Sequence, residues 1–222
     1  MGRLRYAHSF LIGRKGPMED PQMKKLLVVL GLLLLVSGIA PAQQIVGSYF
    51  VDYYAKNAGP LPDAADQLVR IINVGLTGTP LTVPTGNICA SIYVFDNAQE
   101  MIACCGCILT PNELATASVG TQLTNNPVTS VVPEAGVIKI LTTPTTTSCD
   151  PRTQPGAPNA AYAQVFATHL DPPAPTIIFL TETQKRPSPL SAVEYTFLQT
   201  ACTFAQYLGS GKGTCSCSVP GL

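Results

Sequence analysis

The chain has 222 residues and balanced charge, 13 Lys and Arg against 13 Asp and Glu. Six of the basic and two of the acidic residues precede Gln43, so the remaining 180 residues carry 7 basic and 11 acidic groups, a net charge of −4. A weakly acidic segment of that kind lacks the clustered Lys and Arg that neutralise phosphates, which excludes nucleic acid as a partner, and its length suits one domain with a real core.

Met23-Lys24-Lys25 is a short basic stretch, Leu26 to Val36 is an almost unbroken apolar run, and Ala40-Pro41-Ala42 places small residues at a cleavage position. That order is the pattern of a secretory signal peptide, here 23–42, with the mature chain 43–222 beginning at Gln43. The apolar run falls short of the roughly 20 residues that cross a bilayer, so no integral membrane segment is expected after cleavage. Residues 1–22 are polar and basic without apolar periodicity and read as an extension upstream of the true start. The expected location is secreted or periplasmic.

In the mature chain Thr, Pro and Gly recur every few residues, which favours short strands joined by turns. Strands are expected over 44–54, 68–74 and 76–83, the last two parted at Gly75. Residues 88–95 alternate cleanly, with Ile88, Ala90, Ile92 and Val94 on one face and Cys89, Ser91, Tyr93 and Phe95 on the other. A second run, 99–107, follows the turn-forming Asp96-Asn97-Ala98, so the two make a hairpin. A register with Phe95 opposite Glu100, Val94 opposite Met101 and Ile92 opposite Ala103 keeps one face apolar. Further strands are expected over 115–123, 136–141, 162–170 and 176–181, and 142–158 is a Thr- and Pro-rich loop. Near the C-terminus Ser191 and Glu194 form a capping box, and Val193, Phe197, Ala201, Phe204 and Leu208 follow at helical spacing until Gly209. They predict a helix over about 192–208 that packs this stripe on the sheet. The fold class is therefore mainly β: an immunoglobulin-like antiparallel β-sandwich with one C-terminal α-helix, stapled by disulfides.

All eight cysteines lie in the mature segment: Cys89, Cys104, Cys105, Cys107, Cys149, Cys202, Cys215 and Cys217. An even number beyond a signal peptide points to disulfides, although eight cysteines allow 105 connectivities. Adjacent Cys104 and Cys105 point to opposite faces of a strand and must seek different partners. The hairpin register brings Cys89 near Cys104 to Cys107, which predicts a short cross-link there. Cys105 and Cys107 share a face, as do Cys215 and Cys217 in an extended tail, which suggests a doubly stapled tail. Cys149 and Cys202 are left to each other. The alternative is a thiolate metal site built from Cys104, Cys105, Cys107, Cys215 and Cys217, but their spacing departs from common zinc folds and an oxidising space competes for the thiols. No metal or other cofactor is therefore assigned.

His169 is the single histidine after Gln43. A hydrolase could use it with a Ser and a carboxylate, but no G-x-S-x-G marks a nucleophile, and a lone His at a strand end reads first as structural. Asp96 and Glu100 flank the hairpin turn and read as solvated turn caps. No phosphate-binding glycine loop or H-E-x-x-H occurs.

Asn87-Ile88-Cys89-Ala90, Ile92 to Asp96, Gln99-Glu100-Met101 and Cys104-Cys105-Gly106-Cys107 resemble a set of uncharacterised exported cysteine-containing bacterial proteins. Cys149-Asp150, Ala167-Thr168-His169, Glu194 and Cys215-Ser216-Cys217 fit the same resemblance. It implies export and a shared cysteine scaffold, and it carries no activity or catalytic residue. The expected function is a non-enzymatic secreted or periplasmic domain with a structural, adhesive or ligand-binding role toward a protein or envelope component. The rivals are a metal-binding protein using the clustered cysteines and a secreted hydrolase using His169.

Overall fold

A computed structural model describes residues 44–55, 67–78, 85–154, 156–174 and 177–217, with the side chains of 169–180 outside that description. The chain divides into two units, Met1–Ala42 and Gln43–Leu222, and every described residue belongs to the second. The leader 23–42 and the extension 1–22 lie outside the described residues.

Among the described residues there are nine strands: β1 (Ile45–Ala55), β2 (Leu68–Asn73), β3 (Ile88–Asp96), β4 (Met101–Leu109), β5 (Leu114–Ser118), β6 (Ala135–Pro144), β7 (Ala163–Ala174), β8 (Ile177–Gln184) and β9 (Pro187–Ser191). The helix α1 (Ala192–Leu208) follows. The strands form two sheets, β4-β3-β6-β1-β9 and β5-β2-β7-β8, with every named pair antiparallel. Ile92 and Val94 of β3 and Ile138 and Ile140 of β6 share one core with Val69 and Ile71 of β2 and Val165 of β7, which is the packing of a sandwich. Immunoglobulin domains staple their two sheets together with a disulfide. Here none of the four bridges joins the sheets, since each runs from a strand of the five-stranded sheet to a residue outside both.

The alternation along β3 is present, but both of its faces are buried. Ile88, Ala90, Ile92 and Val94 meet the second sheet, whereas Tyr93 and Phe95 meet Leu198 and Cys202 of α1. The described residues thus form three layers, sheet, sheet and helix, and β3 lies in the middle one.

Several expectations are corrected. In the hairpin Val94 pairs with Ala103 and Ile92 with Cys105, two residues beyond the expected register. The cause is a longer turn: the Asp96 carboxylate accepts from the N–H groups of Ala98 and Glu100, both at 2.9 Å, Gln99 takes φ 70°, and a bulge follows between Val94 and Phe95. A shift of two preserves the faces, so the apolar pattern could not distinguish the two registers. The strand expected over 115–123 stops at Ser118, whose hydroxyl caps a wide helical turn at Val119–Leu123 by accepting from Thr121 N–H. Of the strand expected over 76–83, the described part is a turn opened by Gly75 at φ 73°, and 79–83 lie outside the described residues. Strand β9 was hidden by its two prolines, which are tolerated because it is the edge of the five-stranded sheet.

Candidate functional site

Helix α1 begins as its capping box predicts, with Ser191 as N-cap accepting from Glu194 N–H at 3.2 Å. The Glu194 carboxylate does not close the box; it pairs with Lys139 Nζ of β6 at 2.5 Å. Lys139 also lies 5.0 Å from the centre of the Phe95 ring, which stacks on Phe197 with centroids 6.0 Å apart. These contacts and the Cys104–Cys202 bridge fix the helix on β4, β3 and β6.

The face that α1 buries is Leu198, Cys202 and Ala205, not the stripe expected from the sequence. Val193 is 72 % exposed, Phe197 48 %, Phe204 59 %, Tyr207 82 % and Leu208 66 %. Both stripes have helical spacing, and the bridge from Cys202 to the outer face of β4 decides which one turns inward. Phe197, Phe204 and Leu208 of that outward stripe form one wall of an open groove of about 460 Å³, with Met101 and Ile102 of β4 and Val128 opposite. The segment carrying Val128 is tied in place by Val128 N–H to Ile102 carbonyl, 3.2 Å, and by Gly213 N–H to Asn126 carbonyl, 2.8 Å. A smaller depression of about 340 Å³ shares Gln99 and Phe197 with the groove and has Phe95, Lys139 and Glu194 in its walls.

All eight cysteines are paired: Cys89–Cys149, Cys104–Cys202, Cys105–Cys215 and Cys107–Cys217. Cys104 and Cys105, on opposite faces of β4, go to the helix and to the tail. The tail is held twice on the core side of β4, and its backbone lies against the edge of that strand, where Cys104 N–H donates to the Gly213 carbonyl at 2.9 Å. Two expectations fail. Cys89 does not join the Cys104 to Cys107 cluster, because the true register sets it opposite Ile108, and Cys149 reaches it from the loop after β6. Cys149 and Cys202 are therefore not partners. Gly106 explains the spacing Cys-Cys-Gly-Cys: a Cβ there would sit 2.2 Å from the Cys149 carbonyl oxygen, so only glycine lets the 149 loop cross β4.

The Sγ atoms of Cys105, Cys107 and Cys217 lie within 4.8 Å of one another. As disulfides they offer no thiolate, which is the form that ligates Zn²⁺ or Cu⁺. His169 lies in β7 opposite Thr181, and its side chain is outside the described residues. Asp96 serves the hairpin turn, as a solvated cap does. Sequence reasoning missed the groove altogether, although its signal was present: α1 carries one charged residue, Glu194, in 17. A helix whose outer face meets only water normally carries several charges. No family model matches the chain, and neither a curated protein nor a solved structure matches it.

Proposed function

We propose that this chain is an exported, non-enzymatic binding domain, in which the disulfide-stapled sandwich is the frame and the outer face of α1 with its groove is the contact surface for a protein. The observation that carries this reading is the exposed row Val193, Phe197, Phe204 and Leu208 on a helix that a disulfide holds rigidly. Rigid aromatic side chains beside a preformed groove give large contact area at small cost in conformational entropy, which is the make-up of binding hot spots. Export is supported by the leader pattern and by four disulfides, which persist in oxidising compartments. Among the described residues no helix is long and apolar enough to cross a membrane.

The test is a photoreactive phenylalanine analogue placed at Phe204 in cells that export the protein, with Leu114 on the other sheet as the control position. A discrete cross-linked polypeptide at 204 and none at 114 is the expected result. Equal yields at both positions would remove the assignment of this face.

A second reading, a thiolate metal site at the tail, draws on the proximity of the Cys105, Cys107 and Cys217 sulfurs. It requires the two tail bridges to be open. Metal analysis of the natively exported protein alongside its intact mass separates the two: bound Zn²⁺ or Cu⁺ with free thiols supports the metal site, and a mass showing four intact bridges rejects it.

A further inference from the structure

Apart from Tyr207, the exposed apolar residues of α1 are spaced symmetrically along the helix. About a point midway between Thr200 and Ala201, Val193 is the counterpart of Leu208 and Phe197 is the counterpart of Phe204, with Thr200 and Ala201 themselves at the centre. Large side chains flank small ones, so a second helix can approach closest at the middle. An antiparallel crossing of two such helices sets Val193 of each chain against Leu208 of the other and Phe197 against Phe204. This is the self-complementarity that a two-fold interface requires. We infer that the occupant of the groove is a second copy of this chain, joined through α1 around a two-fold axis at Thr200 and Ala201. The inference rests on the reading of this face as a protein-binding surface and names the partner.

Charge and area agree. The only charged side chain on α1, Glu194, is paired with Lys139 of its own chain, so the two helices can meet without burying an unpaired charge, and Glu100 is the charged side chain in the groove lining. With side chains of roughly 150–250 Å² each, the five exposed residues leave on the order of 550 Å² per copy in water. Complete coverage of these residues in both copies would remove about 1,100 Å² before the groove walls are counted, close to the roughly 1,200 Å² at which specific interfaces begin. The predicted dimer is one of modest affinity, and each Phe204 enters beside Phe197 of the other copy, against Met101 and Ile102.

The experiment is sedimentation equilibrium of the mature four-bridge protein from about 1 to about 100 micromolar, a range that brackets the Kd expected of an interface at this size limit. The expected result is a mass rising to twice that of the chain. Phe204→Glu should weaken association more than about tenfold by placing a carboxylate in the contact. Phe204 is exposed, so its circular dichroism and four-bridge mass should be unchanged. Register is tested by oxidative cross-linking: Val193→Cys protein should couple to Leu208→Cys protein on mixing but not to itself. A monomer at all concentrations overturns the second copy as occupant. A dimer indifferent to Phe204→Glu, or Val193→Cys coupling to itself, overturns the antiparallel α1 contact. A monomer that still cross-links at 204 to a different polypeptide leaves the binding face standing, whereas a monomer with no specific cross-link there removes both.

Discussion

Asp52 shows how single side chains hold the two sheets together. It lies on β1 between Phe50 and Tyr54, faces the second sheet, and is almost fully buried. Its carboxylate pairs at 2.6 Å with Lys185 Nζ, which follows β8 of the other sheet, and it accepts from Tyr53 N–H at 2.8 Å. Lys185 is fixed in turn by its N–H bond to the Val165 carbonyl. Breaking one half of a buried pair leaves an uncompensated charge, which costs more than the pair itself contributes. Lys185→Ala is therefore expected to lower unfolding stability by about 3–5 kcal/mol, read from guanidinium transitions, and adding Asp52→Leu should restore part of the loss. A cost below about 1 kcal/mol for Lys185→Ala would mean that water already solvates Asp52.

At the scale of elements, the decisive connection is between β4 and α1. Cys104 and Cys202 close a stretch of 98 residues, and such a bridge restrains the unfolded chain strongly. The double variant Cys104→Ala with Cys202→Ala is expected to lose about 2–5 kcal/mol and to expose α1 first, since the rest of its contact with the sheet is non-covalent: Leu198, Ala205, the Phe95–Phe197 stack, the Gln206 bond to the Cys104 carbonyl and the Glu194–Lys139 pair. Amide hydrogen exchange checks this: protection should fall over 192–208 while β3 and β6 stay protected. Loss spread evenly over all strands would show that the bridge stabilises only through the unfolded state. The same element shows how far the sequence could be read. The Ser191 cap marked where α1 starts, because its hydroxyl bonds the Glu194 N–H three residues on. The inward face was undecidable from spacing, because Val193/Phe197/Phe204/Leu208 and Leu198/Cys202/Ala205 are both helical stripes, and a bridge to a residue 98 positions away selects between them.

For the whole molecule, burial of tyrosines sets the response to alkali. Tyr93 donates to the Pro151 carbonyl at 2.7 Å and Tyr54 to the Phe95 carbonyl at 3.0 Å, and burial pushes both hydroxyls well above their ordinary value of 10.0. In the folded protein they keep their protons to higher pH than in the unfolded chain, so above about pH 10 the unfolded state binds fewer protons and stability falls as pH rises. The unfolding free energy from guanidinium transitions should be flat from about pH 7 to about pH 9 and should then fall with a slope approaching roughly 3 kcal/mol per pH unit above pH 10, with Tyr93→Phe lowering that slope. A midpoint unmoved at about pH 11 would show that these hydroxyls are not the groups that link stability to pH.

What the sequence determined by itself is whatever depends on neighbours along the chain. The period-two alternation of 88–95 made β3, the Asp96 turn made a hairpin, the cap placed α1, and opposite faces sent Cys104 and Cys105 to different partners. What only the tertiary structure decided depends on contacts between distant segments: the hairpin register, the edge position that admits the prolines of β9, the pairing of Cys89 with Cys149 across Gly106, and the outward turn of Phe197 and Phe204. The physical reason is degeneracy. A two-residue slip preserves the face of every side chain, either helical stripe can be buried, and eight sulfurs can pair in many ways, so local chemistry leaves these choices equal until packing of the three layers separates them.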